Sequence, residues 1–536
     1  PIPGRFRMAN ERKTEDMVDA RLRQQGYFRP RCDITVEKQI TENPRIAKLL
    51  RNASKTGNGN GRPEFIIHSA QFTNFLIVIE CKADATKHES ANRDRYADFA
   101  VDGVLLYAAF LAKEFDVLAI AVSGQTEGEY RISHHLQIKG QNRAVDYEPS
   151  KDIIPFDQYY AGYINSEVKF RQDYETLLDY SRELNHLLQT QKILEAQRGF
   201  LISGILIALK NPAFYESYKL QKDAPQIAAS LLSAIRGEFE TARFPEERKH
   251  NLLQAYSFIP DLAASTIDKR FFVQIIEGID TNVNSFMRTH KYYDTIGQFY
   301  VEFLRYANND KGLGIVLTPP HIAELFAELT DIGVHSVVLD NCCGTAGLLI
   351  AAMKAMTRAA GSDQRLLKNI KVRQLIGIEE QSTIYALAVS NMVLHGDGKT
   401  NLYRGSCFLN VDQIKKLKPT VGILNPPYKN KSVAADKEEL EFVLNNLECL
   451  QAGGKCAAIL PITCATAPSG AIAEWKRKLL AKHTLEAVMS MPVELFHNSK
   501  TTVVTCIMLF TAHVPHQPSK KTWFGYWRDD GFVKTK

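Results

Sequence analysis

Two short runs of residues could do chemistry, and they lie far apart in the chain. One is Asn425-Pro426-Pro427-Tyr428, directly after the apolar run Val421–Leu424. The side-chain oxygen of Asn425 and the carbonyl of Pro426 can each accept a hydrogen bond from a planar exocyclic amine. Two such acceptors draw the nitrogen lone pair out of conjugation and aim it at a methyl donor. The prolines stiffen the loop, and Tyr428 can stack on a base flipped out of its duplex. An ordinary proline turn after a strand accounts for the same four residues equally well. The other run is Val78-Ile79-Glu80-Cys81-Lys82, preceded by Pro63-Glu64. Glu80 and Lys82 are two apart and share one face of a strand. A hairpin would set Glu64 beside Glu80. Two carboxylates bind Mg²⁺ beside a phosphate and make a metal-bound water more acidic. The lysine can position that water or stabilise developing charge. The competing reading is exposed charge on an edge strand. Against it, the segment FLIVIECKAD is otherwise apolar, and charges in such a place need partners or a metal.

Other residues could serve the first run. Val337–Asp340 predicts a strand, followed by Asn341-Cys342-Cys343-Gly344-Thr345-Ala346-Gly347 and an apolar helix over Leu348–Ala355. Glycines there let the loop approach a ligand closely. The loop lacks Gly-Lys-Ser/Thr and Gly-x-Gly-x-x-Gly, which argues against a phosphate cradle and against dinucleotide binding. Glu379 ends the next strand, where an acid can hold ribose hydroxyls. Thr318 reads as a helix N-cap with Pro319 at the first helical position. His321 reads as surface or core filler, His88 as surface rather than catalytic, and Cys81, on the face opposite Glu80, as core.

The elements that must position these residues fall into three regions. Residues 1–148 mix helix and strand. A helix is expected over Glu11–Gln25, a flexible turn at Lys55–Gly61, and strands at Phe65–His68 and Phe75–Glu80. A helix over Arg95–Phe115 and a buried strand at Val117–Val122 follow. Residues 149–290 read as an all-helical connector. In residues 291–536 short apolar strands alternate with helices. They are expected at Ser336–Asp340, Gln374–Glu379, Val421–Leu424, Lys455–Leu460, Leu485–Met489 and Thr502–Phe510. That pattern implies a multidomain α/β chain ending in a mostly parallel sheet, with ligands at the carboxyl ends of its strands.

Composition sets outer bounds. At about 150 residues per domain, 536 residues make three to four domains. A chain 45% hydrophobic and 24% charged is neither disordered nor collagen-like. Nine cysteines without a Cys-x-x-Cys pair imply no zinc ribbon and no disulfide framework, which suits the cytoplasm. The apolar run Gly199–Leu209 is too short to span a bilayer, and the amino terminus has no apolar signal core. The net charge is only +6, yet residues 1–62 carry 14 basic against 7 acidic residues. A basic flank suits a nucleic-acid backbone, or is simply a solvated helical face. The chain begins without Met and stops at Lys536, which leaves room for further sequence.

The ordered set Thr318-Pro319, Asp340…Gly344-Thr345-x-Gly347, Glu379 and Asn425-Pro426-Pro427-Tyr428 resembles the gamma-class DNA N6-adenine methyltransferases. It is closest to modification subunits of type I systems and to fused type IIG/IIB enzymes, over about residues 290–536. Asp294…Gly297…Tyr300-Val-Glu-Phe-Leu304 and Phe496…Thr502-Val503…Cys506-Ile507 resemble further parts of that family. The resemblance implies a Rossmann-like, mixed seven-stranded domain using S-adenosylmethionine. Thr318, Asp340, Gly344, Thr345, Gly347 and Glu379 would line the cofactor site, with Glu379 on the ribose. Asn425, Pro426 and Tyr428, with Pro427 completing the motif, would hold the target adenine. Asn341 and Ala346 stand where the family commonly has Pro and Gly. Ser406, in Arg404-Gly405-Ser406, stands where many members carry Asp near the cofactor's adenine. Protein glutamine methyltransferases share the tetrapeptide but lack the helical preamble and the Thr-Pro segment.

Glu64, Glu80 and Lys82 resemble the motif of PD-(D/E)xK nucleases, over about residues 10–125. That resemblance implies Glu64 and Glu80 as Mg²⁺ ligands, Lys82 as the catalytic lysine and Glu15 as an extra helix acid. Glu64 stands where Asp is more usual. Together the two resemblances imply a restriction–modification fusion in the cytoplasm of a bacterium or archaeon. It would cleave double-stranded DNA and methylate adenine N6, without a membrane. A separate specificity subunit or a carboxy-terminal recognition domain would choose the sequence, within an oligomeric assembly. The alternatives are a methyltransferase with an inactive nuclease-like DNA-binding module, a non-catalytic DNA-binding scaffold, an RNA substrate, or a protein glutamine methyltransferase.

Overall fold

The computed structural model describes residues 11–30, 32–55, 57, 59–241, 246–299, 318–396, 401–429, 437–493, 495–496 and 503–529. It divides into two compact units, Pro1–Tyr174 and Glu175–Lys536.

The first unit is built on six strands in sequence order: β1 Ile34–Glu37, β2 Phe65–Ser69, β3 Phe75–Lys82, β4 Asp116–Ser123, β5 Arg131–Gln137 and β6 Val145–Asp146. Only β3 and β4 pair in parallel, joined through the helix Ala100–Leu111. Both strands are continuous apolar runs because both faces of the sheet are covered. Ile77, Ile79 and Cys81 pack on one face with Val18 of the helix Arg12–Gln24 and Phe156 of the helix Phe156–Ile164. Leu76 and Val78 pack on the other face with Val101 and Val104. β3 is therefore a central strand, and the edge-strand reading of Glu80 fails. The helix expected over Arg95–Phe115 starts only at Ala100. The buried Asp102 carboxylate accepts backbone N–H bonds from Ser90 (3.2 Å) and Arg95 (2.8 Å), which holds the preceding segment as a loop. Ile153, Phe156, Tyr159 and Tyr163 belong to this unit's core, so the unit runs past residue 148.

In the second unit no strand occurs among the described residues from 175 to 299. The apolar helix Glu195–Ala208 is buried over most of its length. Its neighbours tie it to the sheet that follows. Tyr256 bridges Ser203 (3.3 Å) and Ser390 (2.6 Å), and the Lys210 ammonium donates to the Val393 carbonyl (2.8 Å). This is why the helical stretch and the carboxy-terminal sheet form one unit. No described helix is long and apolar enough to cross a membrane.

Among the described residues the sheet has eight strands, one more than the seven expected. They are β7 Val338–Asp340, β8 Leu375–Glu379, β9 Asn401–Arg404, β10 Val421–Leu424, β11 Lys455–Pro461, β12 Thr484–Ser490, β13 Thr505–Thr511 and β14 Trp523–Tyr526. Their order is β14-β12-β13-β11-β10-β7-β8-β9, and β13 runs against both its neighbours. The extra strand, β14, pairs in parallel with β12 at the edge. Its aromatic residues Trp523, Phe524 and Tyr526 are exposed, so it lacks the apolar alternation that marks a strand in sequence. β7 leads on to β8 and β9 on one side, while β10 lies on its other side. The chain order reverses there, and such a reversal opens a crevice at the strands' carboxyl ends.

Candidate active sites

Strand register assembles the first site. Phe65 pairs with Ile79, so Glu64 comes to lie opposite Glu80, as a hairpin requires. The Cys81 backbone N–H donates to Glu64 Oε2 (3.2 Å). Lys82 Nζ donates to Glu80 Oε1 (3.1 Å) and to Glu11 Oε1 (2.9 Å). Lys55 Nζ also pairs with Glu80 Oε1 and lies 3.9 Å from Glu64 Oε1. The Glu80 side chain is fully buried, and its Oε2 has no hydrogen-bond partner among the described residues. Burial, and then the charge of Glu80, hold the Glu64 carboxyl well above the usual carboxylate range. Burial alone would depress both lysines, but the carboxylates, Glu80 first, outweigh it and hold both ammonium groups above their ordinary value.

This donor set fits a divalent cation: two adjacent buried carboxylates, with one oxygen unpartnered among the described residues. Among the described residues no three His, Cys, Asp or Glu side chains converge. The remaining positions would fall to water or backbone oxygen, which Mg²⁺ accepts. Lys55 and Glu11 escaped the sequence reading. Glu11, the N-cap residue one turn before Glu15, is the acid that reaches Lys82. His88 is half-buried rather than a surface residue. Its Nδ1 lies 2.8 Å from Ser123 Oγ and its Nε2 3.0 Å from Ser133 Oγ, so it clamps the segment after β3 to β4 and β5. Burial lowers its pKa to about 4, so the clamp is neutral. Arg21, Arg23, Lys38, Arg45 and Lys55 are ion-paired within the unit. The basic surplus open to a phosphate backbone is accordingly smaller than the raw count.

The second site lies at the carboxyl ends of β7, β8 and β10. The loop after β7 docks on β8: Cys343 N–H donates to the Ile378 carbonyl (2.9 Å) and Gly344 N–H to Glu379 Oε2 (3.1 Å). Glu379 Oε1 accepts from Gln381 N–H (2.8 Å). Burial raises the Glu379 carboxyl despite these amides. Asp340 accepts from Cys342 N–H (3.1 Å), and burial pushes its pKa up to about 8. Gly405 N–H donates to the Glu379 carbonyl (2.9 Å), which brings Ser406 to the same strand end.

Asp294 anchors the loop from behind. It accepts Thr345 Oγ1 (2.8 Å), Asn391 Nδ2 (2.6 Å) and Gly297 N–H (2.8 Å). The Thr345 hydroxyl is thus committed to Asp294. A Cβ on Gly347 would stand 2.7 Å from the Asp294 carboxylate, so only glycine fits there. Ala346, where the family commonly has Gly, adopts a left-handed φ of 70°, which strains a residue with a Cβ. Asn341, where the family commonly has Pro, donates to Asn445 Oδ1 (2.8 Å) and the Phe442 carbonyl (3.0 Å) and accepts from Asn446 Nδ2 (3.0 Å). All three side chains are buried. They join the loop to the helix Glu439–Cys449, which follows the Asn-Pro-Pro-Tyr segment.

Asn425 leaves the end of β10, beside β7 in the sheet. Its Nδ2 donates to Thr318 Oγ1 (3.1 Å). Thr318 is not the N-cap; Pro319 is, and the helix is Pro320–Leu329. A residue before proline is driven to extended backbone, so Pro320 delays the helix by one position. Thr318 is thereby free to orient the Asn425 amide. The Tyr428 hydroxyl is buried without a partner among the described residues, and its ring meets Phe496 edge-on at 6.5 Å. Burial raises its pKa. An acid at a strand end, a close-approaching glycine loop and an oriented amide fit a nucleoside-bearing methyl donor and an amine acceptor. The Tyr300–Leu304 part of the upstream run and Thr502 lie outside the described residues.

The sequence pattern of the family described as N-6 DNA Methylase matches residues 291–534. The chain is 30% identical to the type II restriction enzyme and methyltransferase RM.BcgI of Heyndrickxia coagulans, over 99% of this chain and 86% of that protein. It is 25% identical to the type I restriction enzyme EcoEI methylase subunit of Escherichia coli, over 42% of this chain and 48% of that one. Among solved structures, the cryoEM DrdV–DNA complex aligns with a TM-score of 0.47 and 12% identity, over 97% of this chain and 57% of that chain.

Proposed function

The chain belongs to the family of type II restriction enzymes fused to a methyltransferase, and from that membership we propose that it both methylates adenine N6 and cuts double-stranded DNA. Its carboxy-terminal part is a DNA N6-adenine methyltransferase of restriction–modification type.

The methylating site rests on one observation above all: the Asn425 amide, at the end of β10, is oriented by Thr318 beside the cofactor-type loop of β7. With Nδ2 engaged by Thr318, Oδ1 and the Pro426 carbonyl accept the two hydrogens of the adenine amino group. This keeps the nitrogen lone pair on nitrogen and directs it at the donor. Pro427 fixes the turn, and Tyr428 packs against the flipped base. Glu379 takes ribose hydroxyls, the loop Gly344–Gly347 admits the donor closely, and Asp340 and Ser406 border it. S-adenosylmethionine, when bound, supplies an electrophilic methyl group.

In the first unit Glu64 and Glu80 are Mg²⁺ ligands and Lys82 is the catalytic lysine of a PD-(D/E)xK-like nuclease. Bound Mg²⁺ supplies an acidified water and charge for the phosphate. Lys82, held by Glu80 and Glu11, stabilises the charge that develops on the phosphate oxygens. A specificity subunit or recognition domain selects the sequence, in an oligomeric assembly. Three functional parts follow: a nuclease to about residue 148, with core contacts reaching Tyr163, a connector to 290, and a methyltransferase beyond.

The test is to incubate the full chain, alone and with a specificity subunit, on DNA with a labelled methyl donor and Mg²⁺, and to map label and cuts. Label on adenine N6 together with double-strand cuts is expected. Label on protein or RNA overturns the DNA methylation. Methylation without cuts leaves the first unit a DNA-binding module.

A further inference from the structure

We propose that Lys55 is a resident counter-ion that competes with the divalent cation for the Glu64–Glu80 pair. The proposal rests on reading the first unit as a nuclease. It also names a residue for which neither the motif nor the comparisons assign a role.

Lys55 bridges both acids: Nζ pairs with Glu80 Oε1 and stands 3.9 Å from Glu64 Oε1. Its side chain is only 16% exposed, so this is a built contact rather than a surface ion pair. Lys82 already neutralises Glu80 at 3.1 Å. Lys82 also donates to Glu11 (2.9 Å), so Lys55 is the cation seated between the two buried acids. A divalent cation placed beside that ammonium would set like charges together in a buried place, which is costly. Mg²⁺ also needs oxygen ligands at about 2.0–2.1 Å, and Glu80 Oε1 is the oxygen that Lys55 now holds. Glu80 Oε2 is unpartnered among the described residues, but an ion shared by both acids would stand against the ammonium that Lys55 seats between them, so it binds more tightly when Lys55 leaves. Lysine suits this role because its compact charge sits on a flexible stem. A DNA phosphate offers the departing ammonium a new anion. The consequence is a site that loads metal poorly when idle and readily when a phosphate backbone arrives.

The experiment titrates Mn²⁺ into the full chain without DNA and follows the free ion by electron paramagnetic resonance. Wild type is compared with Lys55→Met, Lys55→Gln and Lys55→Arg, with thermal melting to verify folding. Both neutral variants are expected to bind Mn²⁺ at least tenfold more tightly than wild type, and Lys55→Arg to bind like wild type. Equal or weaker binding by the neutral variants overturns the competition. Adding Glu80→Gln to Lys55→Met should remove the tight site. If it does not, or if no variant binds Mn²⁺, the metal-site reading of the first unit falls, a result distinct from failure of the Lys55 role.

Discussion

On the proposed reading the two candidate sites handle an anionic and an electron-rich nucleic-acid group, and they do so with opposite materials. In the first unit the working groups are charged and buried, and each charge is held by another: Glu80 by Lys82 and Lys55, Lys82 by Glu11. In the second unit the working groups are mostly neutral amides and backbone. Asn425 is held by Thr318, and Asn341 by Asn445 and Asn446. Its buried acids, Asp340 and Asp294, are held by N–H and O–H donors. A phosphate-cutting site needs charge to bind metal and answer charge on the phosphate. A methyl-transfer site needs hydrogen-bond direction more than charge. Removing one member should accordingly leave an uncompensated charge in the first unit and an unaimed or unanchored loop in the second.

The largest effect should come from breaking the charge pair. Glu64→Gln is expected to lower the cleavage rate by at least about 10–100-fold, the loss typical even of a residue that only supports a metal ligand, with methyl transfer unchanged, as measured on plasmid DNA carrying the target sequence. Next is the anchor of the second site. Asp294→Ala leaves Thr345, Asn391 and Gly297 donors unanswered in a buried place, which costs about 1–3 kcal/mol of stability. Chemical denaturation should show that loss, and calorimetry a weaker cofactor affinity.

A third effect concerns pH. Asp340 is protonated in the folded chain up to about pH 8, whereas unfolded aspartate ionises near pH 4. Its contribution is thus complete below the unfolded value and lost as pH rises through about 8. Between those values stability should fall by about 1.4 kcal/mol per pH unit from this group. Asp340→Asn should flatten the slope, measured by denaturation at several pH values without cofactor. The smallest effect is expected at Ala346. Ala346→Gly relieves a left-handed backbone and should stabilise the protein by up to about 1 kcal/mol, a shift in melting temperature of a few degrees at most.

Legibility in the sequence follows the same contrast. Residues whose chemistry forces their position beside a strand were readable: Asn425 after β10, Glu379 ending β8, Glu80 and Lys82 on β3. Alternating strands and helices made the parallel sheet readable too. β9 is not legible because Asn401-Leu402-Tyr403-Arg404 holds no apolar run and buries only Leu402, and β14 because its aromatic side chains face outward. Lys55 was unreadable because its partner stands 25 residues away, across a glycine-rich turn. A lysine before such a turn signals flexibility, not a buried ion pair. The Asn341 network left a trace: Asn445-Asn446 interrupts an otherwise apolar helix face. That trace has meaning only once Asn341 is known to lie against it. Thr318 was found for the wrong local reason, since a second proline moved the helix start past it.

If one chain holds two separable chemistries, crossed single substitutions will part them. Lys82→Ala and Asn425→Ala are each assayed for labelled methyl transfer and for cuts on the same DNA. Lys82→Ala is expected to lose cleavage and keep methylation, and Asn425→Ala to lose methylation and keep cleavage. Sustained cleavage by Lys82→Ala, or methyl transfer surviving in Asn425→Ala, would contradict the assignment of that site.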